Sequence, residues 1–246
     1  MQVFYRFSDG GQSSPNGSSQ NKLRPDGFDK RLLLIKFLET PSTISFEVTL
    51  FADNVSDETY QFLTNYKDRN DRLVKLIRLN NKSGAYTFLN AAHYAFNSQN
   101  SQNIYFVEDD YQHWGDWVAI LAEGLAVADY VTLYDHPDKY IIGHNPLVKT
   151  QGVKSATGEE TSVFLSKSCH WKLTNSTTMT FATTLDRLRE DYAIYVKHCK
   201  TGYPFDYDMF RELITQKGRT LISSIPAYST HLENGVLAPF SGKKPL

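Results

Sequence analysis

Cysteine is nearly absent: Cys169 and Cys199 are the only two in 246 residues. They stand in no metal-ligating or redox spacing, which excludes a disulfide-built scaffold and leaves two reduced thiols, the state expected in the cytoplasm. Long apolar runs are missing too, and no stretch approaches the roughly 20 residues that a bilayer-spanning helix requires. Met1 leads straight into Gln2–Phe7 with neither a basic flank nor a long apolar core, so no signal peptide is expected. A dominant sign of charge is also lacking. Twenty-six basic residues against 27 acidic ones leave a net charge of −1 and a pI near 6.7. That balance gives no electrostatic case for a nucleic-acid partner or an anionic membrane surface. There is no Gly-x-x-x-x-Gly-Lys-Ser/Thr loop, which disfavours a P-loop enzyme, and there is no internal repeat.

Aromatic residues are plentiful, with 15 Tyr and 15 Phe. The chain is long enough to bury a sizeable core as one domain. Its first part alternates regularly. Strands are predicted at Val3–Phe7, Ile44–Ala52, Leu73–Leu79 and Ile104–Val107, with helices at Phe28–Glu39, Ser56–Tyr66 and Ala85–Phe96 between them. A strand-helix alternation of this kind predicts an α/β fold with a mostly parallel sheet, covering helices and right-handed crossovers. A Gly/Ser/Asn-rich loop from Ser8 to about Gly27 interrupts it, and a polar loop of that length is either functional or mobile.

Beyond Trp114 the pattern predicts a helix to about Ala128 and a fifth strand at Tyr130–Tyr134. Gly and Pro then punctuate Lys139–Thr161. Strand character follows at Val163–Leu173 and Thr177–Phe181, then helices at Thr184–Cys199 and Asp206–Thr215 and a last strand at Thr220–Ile225. The tail from Pro226 to Gly235 shows no period, and no linker splits the chain.

Each early strand ends in polar or acidic residues: Ser8 and Asp9, Asp53, Asn80 and Asn81, and Glu108-Asp109-Asp110. In a parallel sheet these endings converge on one edge, where ligands bind in open α/β folds. The three adjacent carboxylates repel one another, so two readings fit. Either a divalent cation offsets their charge, or they form a solvated turn capping the next helix.

Ile104–Asp110, ending in Glu-x-Asp form, resembles the acidic DxD-type motif of nucleotide-sugar-dependent glycosyltransferases with the GT-A fold. The order of elements before it, Asp53 after the second strand and Thr230-His231 near the C-terminus add to the likeness. The resemblance implies a GT-A-type, Rossmann-like mixed sheet in one domain over 1–246, with a nucleotide-sugar half (1–113) and an acceptor half (114–246) that ends in a closing segment. It implies transfer of a sugar from a UDP- or GDP-sugar to a glycan or other hydroxyl acceptor, with Mn²⁺ or Mg²⁺ stabilising the diphosphate leaving group. In that reading Asp110 and His231 hold the metal. Glu108 and Asp109 act through water or hold the ribose and donor sugar, and Arg6, Ser8 and Asp9 contact base and ribose. Asp53 accepts from the base edge, and Lys82 is placed to neutralise a phosphate. An acidic pair on an acceptor-side helix supplies the base in many inverting members; Glu190-Asp191 resembles it, with Asp186 one turn earlier, although a retaining mechanism requires no such base. His170 and Trp171 are candidate acceptor contacts. Two rival readings remain at this level, a Mg²⁺-dependent phosphoryl-chemistry enzyme and a non-catalytic carbohydrate-binding protein.

Overall fold

The computed structural model describes residues 1–10, 23–98, 102–140 and 159–239. Much of the polar loop after the first strand and of the Gly/Pro-punctuated stretch from Lys139 to Thr161 lies outside the described residues. The elements run β1 (Gln2–Phe7), α1 (Lys30–Glu39), β2 (Glu47–Asp53), α2 (Asp57–Lys67), β3 (Leu73–Leu79), α3 (Gly84–Phe96) and β4 (Asn103–Glu108). They continue with β5 (Tyr111–His113), α4 (Trp117–Leu125), β6 (Tyr130–Thr132), β7 (Val163–Leu165), β8 (His170–Leu173) and β9 (Phe181–Thr184). Last come α5 (Leu185–Cys199), α6 (Asp206–Lys217), β10 (Leu221–Ile225) and β11 (Ser229–His231).

Nine strands form one sheet in the order β3-β2-β1-β4-β9-β6-β10-β8-β7, and β5 pairs with β11 in a small second sheet. The first four strands of the order are mutually parallel. β9 runs against both β4 and β6, so β6 and its parallel neighbour β10 run the same way as β4. One sheet therefore passes through both the 1–113 and the 114–246 parts of the chain. The order reverses at β1, which has β2 on one side and β4 on the other, so a crevice opens beyond the carboxyl ends of β1 and β4.

Period-two alternation decides what each face buries. Val3, Tyr5 and Phe7 pack on one side with Leu34 and Phe37 of α1, Leu63 of α2 and Trp117 and Leu121 of α4. Phe4 and Phe106 face the other side, against Phe88 of α3, Leu188 and Tyr195 of α5 and Phe210 of α6. The result is three layers, with α1, α2 and α4 over one face and α3, α5 and α6 over the other. Trp117 is fully buried and stacks on Phe37 at 4.6 Å; a side chain of that size contributes about 200 Å² of buried surface. α4 comes close to the sheet at Gly124, where a Cβ would lie 2.8 Å from Trp171 and 2.9 Å from Val131.

The structure differs from the sequence expectations mainly in the second half. The single strand expected over Val163–Leu173 is a hairpin, β7 and β8, turned where Ser166 N donates to Cys169 O. The strand expected at Thr177–Phe181 starts at Phe181 instead, because Phe181–Thr184 is the segment that pairs with β4. Thr184 then serves as the N-cap of α5 by accepting from Arg187 N. Among the described residues, no helix is long and apolar enough to cross a membrane.

Candidate active site

β1 and β4 lie in register with Arg6 opposite Glu108, so the residues that follow each strand emerge side by side. A cleft of about 190 Å³ opens there, bounded by the ends of β1, β2 and β4, by Lys82-Ser83-Gly84 at the start of α3 and by Arg24 and Lys30.

Each acid of the Glu108-Asp109-Asp110 cluster has a basic partner. Arg6 Nη2 lies 3.5 Å from Glu108 Oε1, Lys30 Nζ 3.0 Å from Asp109 Oδ2 and Arg24 Nη2 2.9 Å from Asp110 Oδ2. Protein cations thus offset the mutual repulsion of the carboxylates, and that repulsion is not by itself a sign of a metal. Asp109 also accepts from Ser8 N at 2.7 Å and from Ser8 Oγ at 3.3 Å. Burial pushes the Asp109 carboxyl up and the neighbouring Asp110 charge adds to this, against the pull of Lys30. Lys30 further donates to the carbonyls of Ser8 and Gly10, so it holds the start of the loop against the acids.

Arg6 points to the α3 side of the sheet and is 5% exposed. It donates to the carbonyls of Gly84 and Met179. Its hydrogen bonds are structural, and it presents positive charge to the cleft wall. Asp53 accepts from Asn81 N at 2.6 Å and from Thr87 Oγ1 at 2.6 Å, so it fixes the turn that carries Lys82 while lining the cleft. Lys82 takes a left-handed backbone conformation in that turn, with φ 55°. Asp9 is not among the residues lining the cleft; its Oδ2 accepts from Ser56 N at 2.6 Å, at the start of α2.

The tail has a defined place. Thr230 and His231 pair with Gln112 and Tyr111, and Leu232 N donates to Asp110 O at 2.8 Å. This ladder brings His231 Nε2 to 3.0 Å from Asp110 Oδ2. Two ligand atoms on adjacent corners of an octahedral cation, each with a bond of about 2.1 Å, are separated by about 3.0 Å. In this structure the contact is a hydrogen bond, and Asp110 Oδ2 also accepts from Arg24 Nη2 at 2.9 Å; imidazole and carboxylate are ligand types that Mn²⁺ or Mg²⁺ takes, and a cation there would have to displace Arg24 from that oxygen. Among the described residues no group of three or more His, Cys, Asp or Glu is gathered for a metal. Further ligands would have to come from a bound diphosphate and water, as is usual for cations held through substrate phosphates.

The acids of α5 are elsewhere. Thr184 pairs with Asn103, the first residue of β4, so α5 starts at the edge of the sheet opposite the cleft and Asp186 sits at that end. Asp191 is fully buried; it takes two bonds from Arg219, each 2.9 Å, and one from Tyr130 Oη at 2.8 Å. Glu190 is also bound by Arg219. These are ties between α5, β6 and the segment before β10, and they do not reach the strand ends. Trp171 is likewise fully buried, whereas His170 is exposed on the β7–β8 hairpin.

In the second half, Asp206, the first residue of α6, is the carboxylate that feels the Glu108 charge at the end of β4, although it is not among the residues lining the cleft. Its pKa is pushed up to about 7, chiefly by burial and further by the Glu108 charge, while the Tyr207 N–H and Lys139 pull the other way. α5 rises from the far edge and ends near the cleft, where Ser83 Oγ donates to Gly202 O at 2.6 Å, and α6 starts four residues later. No motif in the sequence marks Asp206, Arg24 or Lys30 as site residues. The available signals were an Asp opening a helix beyond Pro204, and a basic residue inside a loop already marked by its length.

No protein-family model and no curated protein sequence matches the chain. Solved structures do. GalNAc-T7 with UDP, GalNAc and Mn²⁺ superposes with a TM-score of 0.54 at 14% identity, over 99% of this chain and 44% of that one. TarS 1–349 of S. aureus gives 0.48 at 16% identity, over 93% of this chain and 60% of that one. The galactosyltransferase LgtC with donor and acceptor sugar analogs gives 0.47 at 8%, over 86% and 69%. At these identities the likeness is one of fold, and the fold is of the GT-A type. The chain spans about 60% or less of the TarS and GalNAc-T7 structures it matches.

Proposed function

We propose that this protein is a glycosyltransferase that moves a sugar from a nucleoside-diphosphate sugar, taken here as a UDP-sugar, to a hydroxyl acceptor. One observation carries the reading: at the switch point of a GT-A-type sheet, Asp110, with His231 bonded to it, lines the same cleft as Arg6, Arg24, Lys30, Lys82 and the N-terminus of α3. Arg6, Lys30 and Arg24 are paired with Glu108, Asp109 and Asp110, so the positive groups that those acids do not engage are Lys82 and the helix N-terminus, and these suit a diphosphate. A carboxylate-imidazole pair beside them suits the hard cation that accompanies one, and GalNAc-T7, similar in fold, was solved with UDP and Mn²⁺. Nothing in the cleft favours phosphoryl chemistry or saccharide binding alone.

The nucleoside lies along Ser8, Asp53 and Asn54, and the donor sugar faces Glu108 and Asp109. Asp110 and His231 would hold the cation, which when bound would supply Lewis-acid stabilisation of the departing diphosphate. Lys82, Arg24 and the first turn of α3 bind the diphosphate and disperse the charge it gains as the bond to the sugar breaks. Asp206 takes the proton of the acceptor hydroxyl while that oxygen bonds to the anomeric carbon. The sugar–phosphate bond breaks on the opposite side and the nucleoside diphosphate leaves with the electron pair, so the transfer inverts. This assigns the proton to Asp206, which feels the Glu108 charge, in place of Asp191, which is tied up by Arg219 and Tyr130, or Asp186, which sits at the opposite edge of the sheet.

A thermal-shift screen of UDP- and GDP-sugars with and without Mn²⁺ tests the reading, since a ligand of the native state raises stability by mass action. Stabilisation that needs donor and Mn²⁺ together, with slow donor hydrolysis on incubation, is the expected result. Indifference to every pair refutes it.

A further inference from the structure

The large hydrophobic side chains that remain exposed are not spread evenly. Four aromatic ones belong to the start of α3, the α5–α6 connection and the first turn of α6: Tyr86 (40% exposed), Tyr203 (41%), Phe205 (41%) and Tyr207 (55%). Tyr203 and Phe205 meet edge to face at 5.2 Å. The connection is fastened to α3 at two points, where Ser83 Oγ donates to Gly202 O at 2.6 Å and Tyr86 Oη donates to Lys200 O at 3.3 Å. Gly202 has φ 84°, and a Cβ there would lie 3.4 Å from the Tyr86 ring, so the chain runs close against that ring. Ser83 itself lines the cleft, so the hydrogen bond from Ser83 to Gly202 anchors the connection that carries Tyr203 and Phe205 to the cleft's rim.

We infer that Tyr86, Tyr203 and Phe205 form the acceptor subsite and that its occupant is a neutral oligosaccharide. This rests on the glycosyl-transfer reading and deepens it by naming the acceptor class. Exposed aromatic rings fixed by their backbone offer flat apolar faces at low entropic cost, and such patches mark ligand-binding surfaces. A pyranose matches them because it carries C–H groups on its faces and hydroxyls around its edge. The adjoining α6 begins with two carboxylates, Asp206 and Asp208, in its first turn. Both side chains can hydrogen-bond sugar hydroxyls, and Asp208, joined by Asp206 when it is ionised, repels phosphate, sulfate or uronate groups. The same charges disfavour an anionic lipid surface. Asp206, the group that would take the acceptor proton, directly follows Phe205 in the chain.

The test measures saccharide binding by saturation-transfer NMR with no donor present, using maltohexaose, cellohexaose, laminarihexaose and chitohexaose, with hexagalacturonate as the anionic comparison. Wild-type protein is expected to bind at least one neutral oligomer in preference to hexagalacturonate. Tyr203→Ala and Phe205→Ala should each weaken that binding by about 3- to 10-fold, the range for one aromatic contact, with the thermal shift from UDP and Mn²⁺ unchanged. Both side chains are exposed, so both variants should fold, and circular dichroism checks this. Binding of none of the neutral oligomers, preference for the uronate, or equal binding by the variants would each overturn the inference. A donor screen that fails while neutral oligosaccharide still binds at these rings sinks the transfer reading instead, so the two failures are distinguishable.

Discussion

His231 Nε2 lies 3.0 Å from Asp110 Oδ2, although 121 positions separate the two in sequence. The contact is set by the β5–β11 ladder and by the His231 ring stacked on Tyr111 at 5.1 Å and 3°. An imidazole ring held this way loses little freedom on taking up a metal.

If that pair seats the cation, Asp110→Asn and His231→Gln each remove the Mn²⁺-dependent part of donor stabilisation. At a ligand concentration 100 times Kd this is about 2.7 kcal/mol. Asn retains an oxygen that accepts from Arg24, so the ligand-free Tm should stay near that of the wild type. Differential scanning fluorimetry with UDP, with and without Mn²⁺, makes the comparison; an undiminished Mn²⁺ effect in both variants removes the pair from the site.

Lys30 is half-buried and bonds Asp109 and the carbonyls of Ser8 and Gly10. Lys30→Met leaves the Asp109 carboxylate without its cation, a change expected to cost about 2–4 kcal/mol in urea denaturation. Adding Asp109→Asn takes away the stranded charge and should restore more than half of the loss. A double variant as unstable as the single one would show that Lys30 acts mainly by tethering the loop.

The framework of the first half was legible because its signals are local. Runs such as Val3–Phe7 and Ile104–Val107, each followed by polar residues, report a buried parallel strand and the edge where it ends. Position along a helix is also local, but its direction relative to the sheet is not. Glu190-Asp191 resembles a catalytic pair on paper, yet the antiparallel run of β9 starts α5 at the wrong edge, and Arg219, 28 residues later, occupies Asp191. The partners of the acidic cluster were hidden for the same reason. Lys30 and Arg24 lie 79 and 86 residues before the acids they neutralise, and no periodicity links them. The β11 tail has three residues, too few to show alternation.

Asp191 then serves as a control for the base assignment. Its burial and its paired bonds from Arg219 make Asp191→Ala costly, by about 3–5 kcal/mol, because it strands a guanidinium. Where the protein still folds, at low temperature, transfer and donor hydrolysis should keep rates within a few-fold of the wild type. A rate loss beyond 100-fold in protein shown to be folded would return Asp191 to the chemistry.

His113 gives acid sensitivity of a definite sign. It packs on Phe37 at 4.9 Å and shares a 2.7 Å hydrogen bond with Tyr105 Oη, and burial pulls its pKa down to about 3 against the pull of the Tyr111 backbone. Below pH 6.5 the unfolded chain binds a proton that the folded one refuses. Stability therefore falls as pH drops from about 6.5 toward 3, by up to about 1.4 kcal/mol per unit. His113→Gln should flatten that limb in urea titrations at pH 7, 6 and 5; an unchanged slope would assign the sensitivity to other groups.

Asp206 titrates with the opposite consequence for stability and a direct one for rate. Its pKa is raised to about 7, so between the unfolded value of 3.8 and 7 the folded chain holds the extra proton. Its stabilising contribution is present at low pH and is lost as pH rises through 7. For catalysis the acid must be ionised to receive the acceptor proton. kcat/KM should climb about tenfold per pH unit below 7 and level off above it. Asp206→Asn keeps the size of the side chain and removes the proton acceptor, so transfer should fall by about 100- to 10,000-fold while the UDP and Mn²⁺ thermal shift persists. Asp206→Glu should recover part of the rate with a displaced limb, because the carboxylate returns at a different distance from Glu108. If the Asn variant keeps the wild-type limb, the titrating group lies elsewhere; if it keeps the full rate, the displacement proceeds without a base at α6.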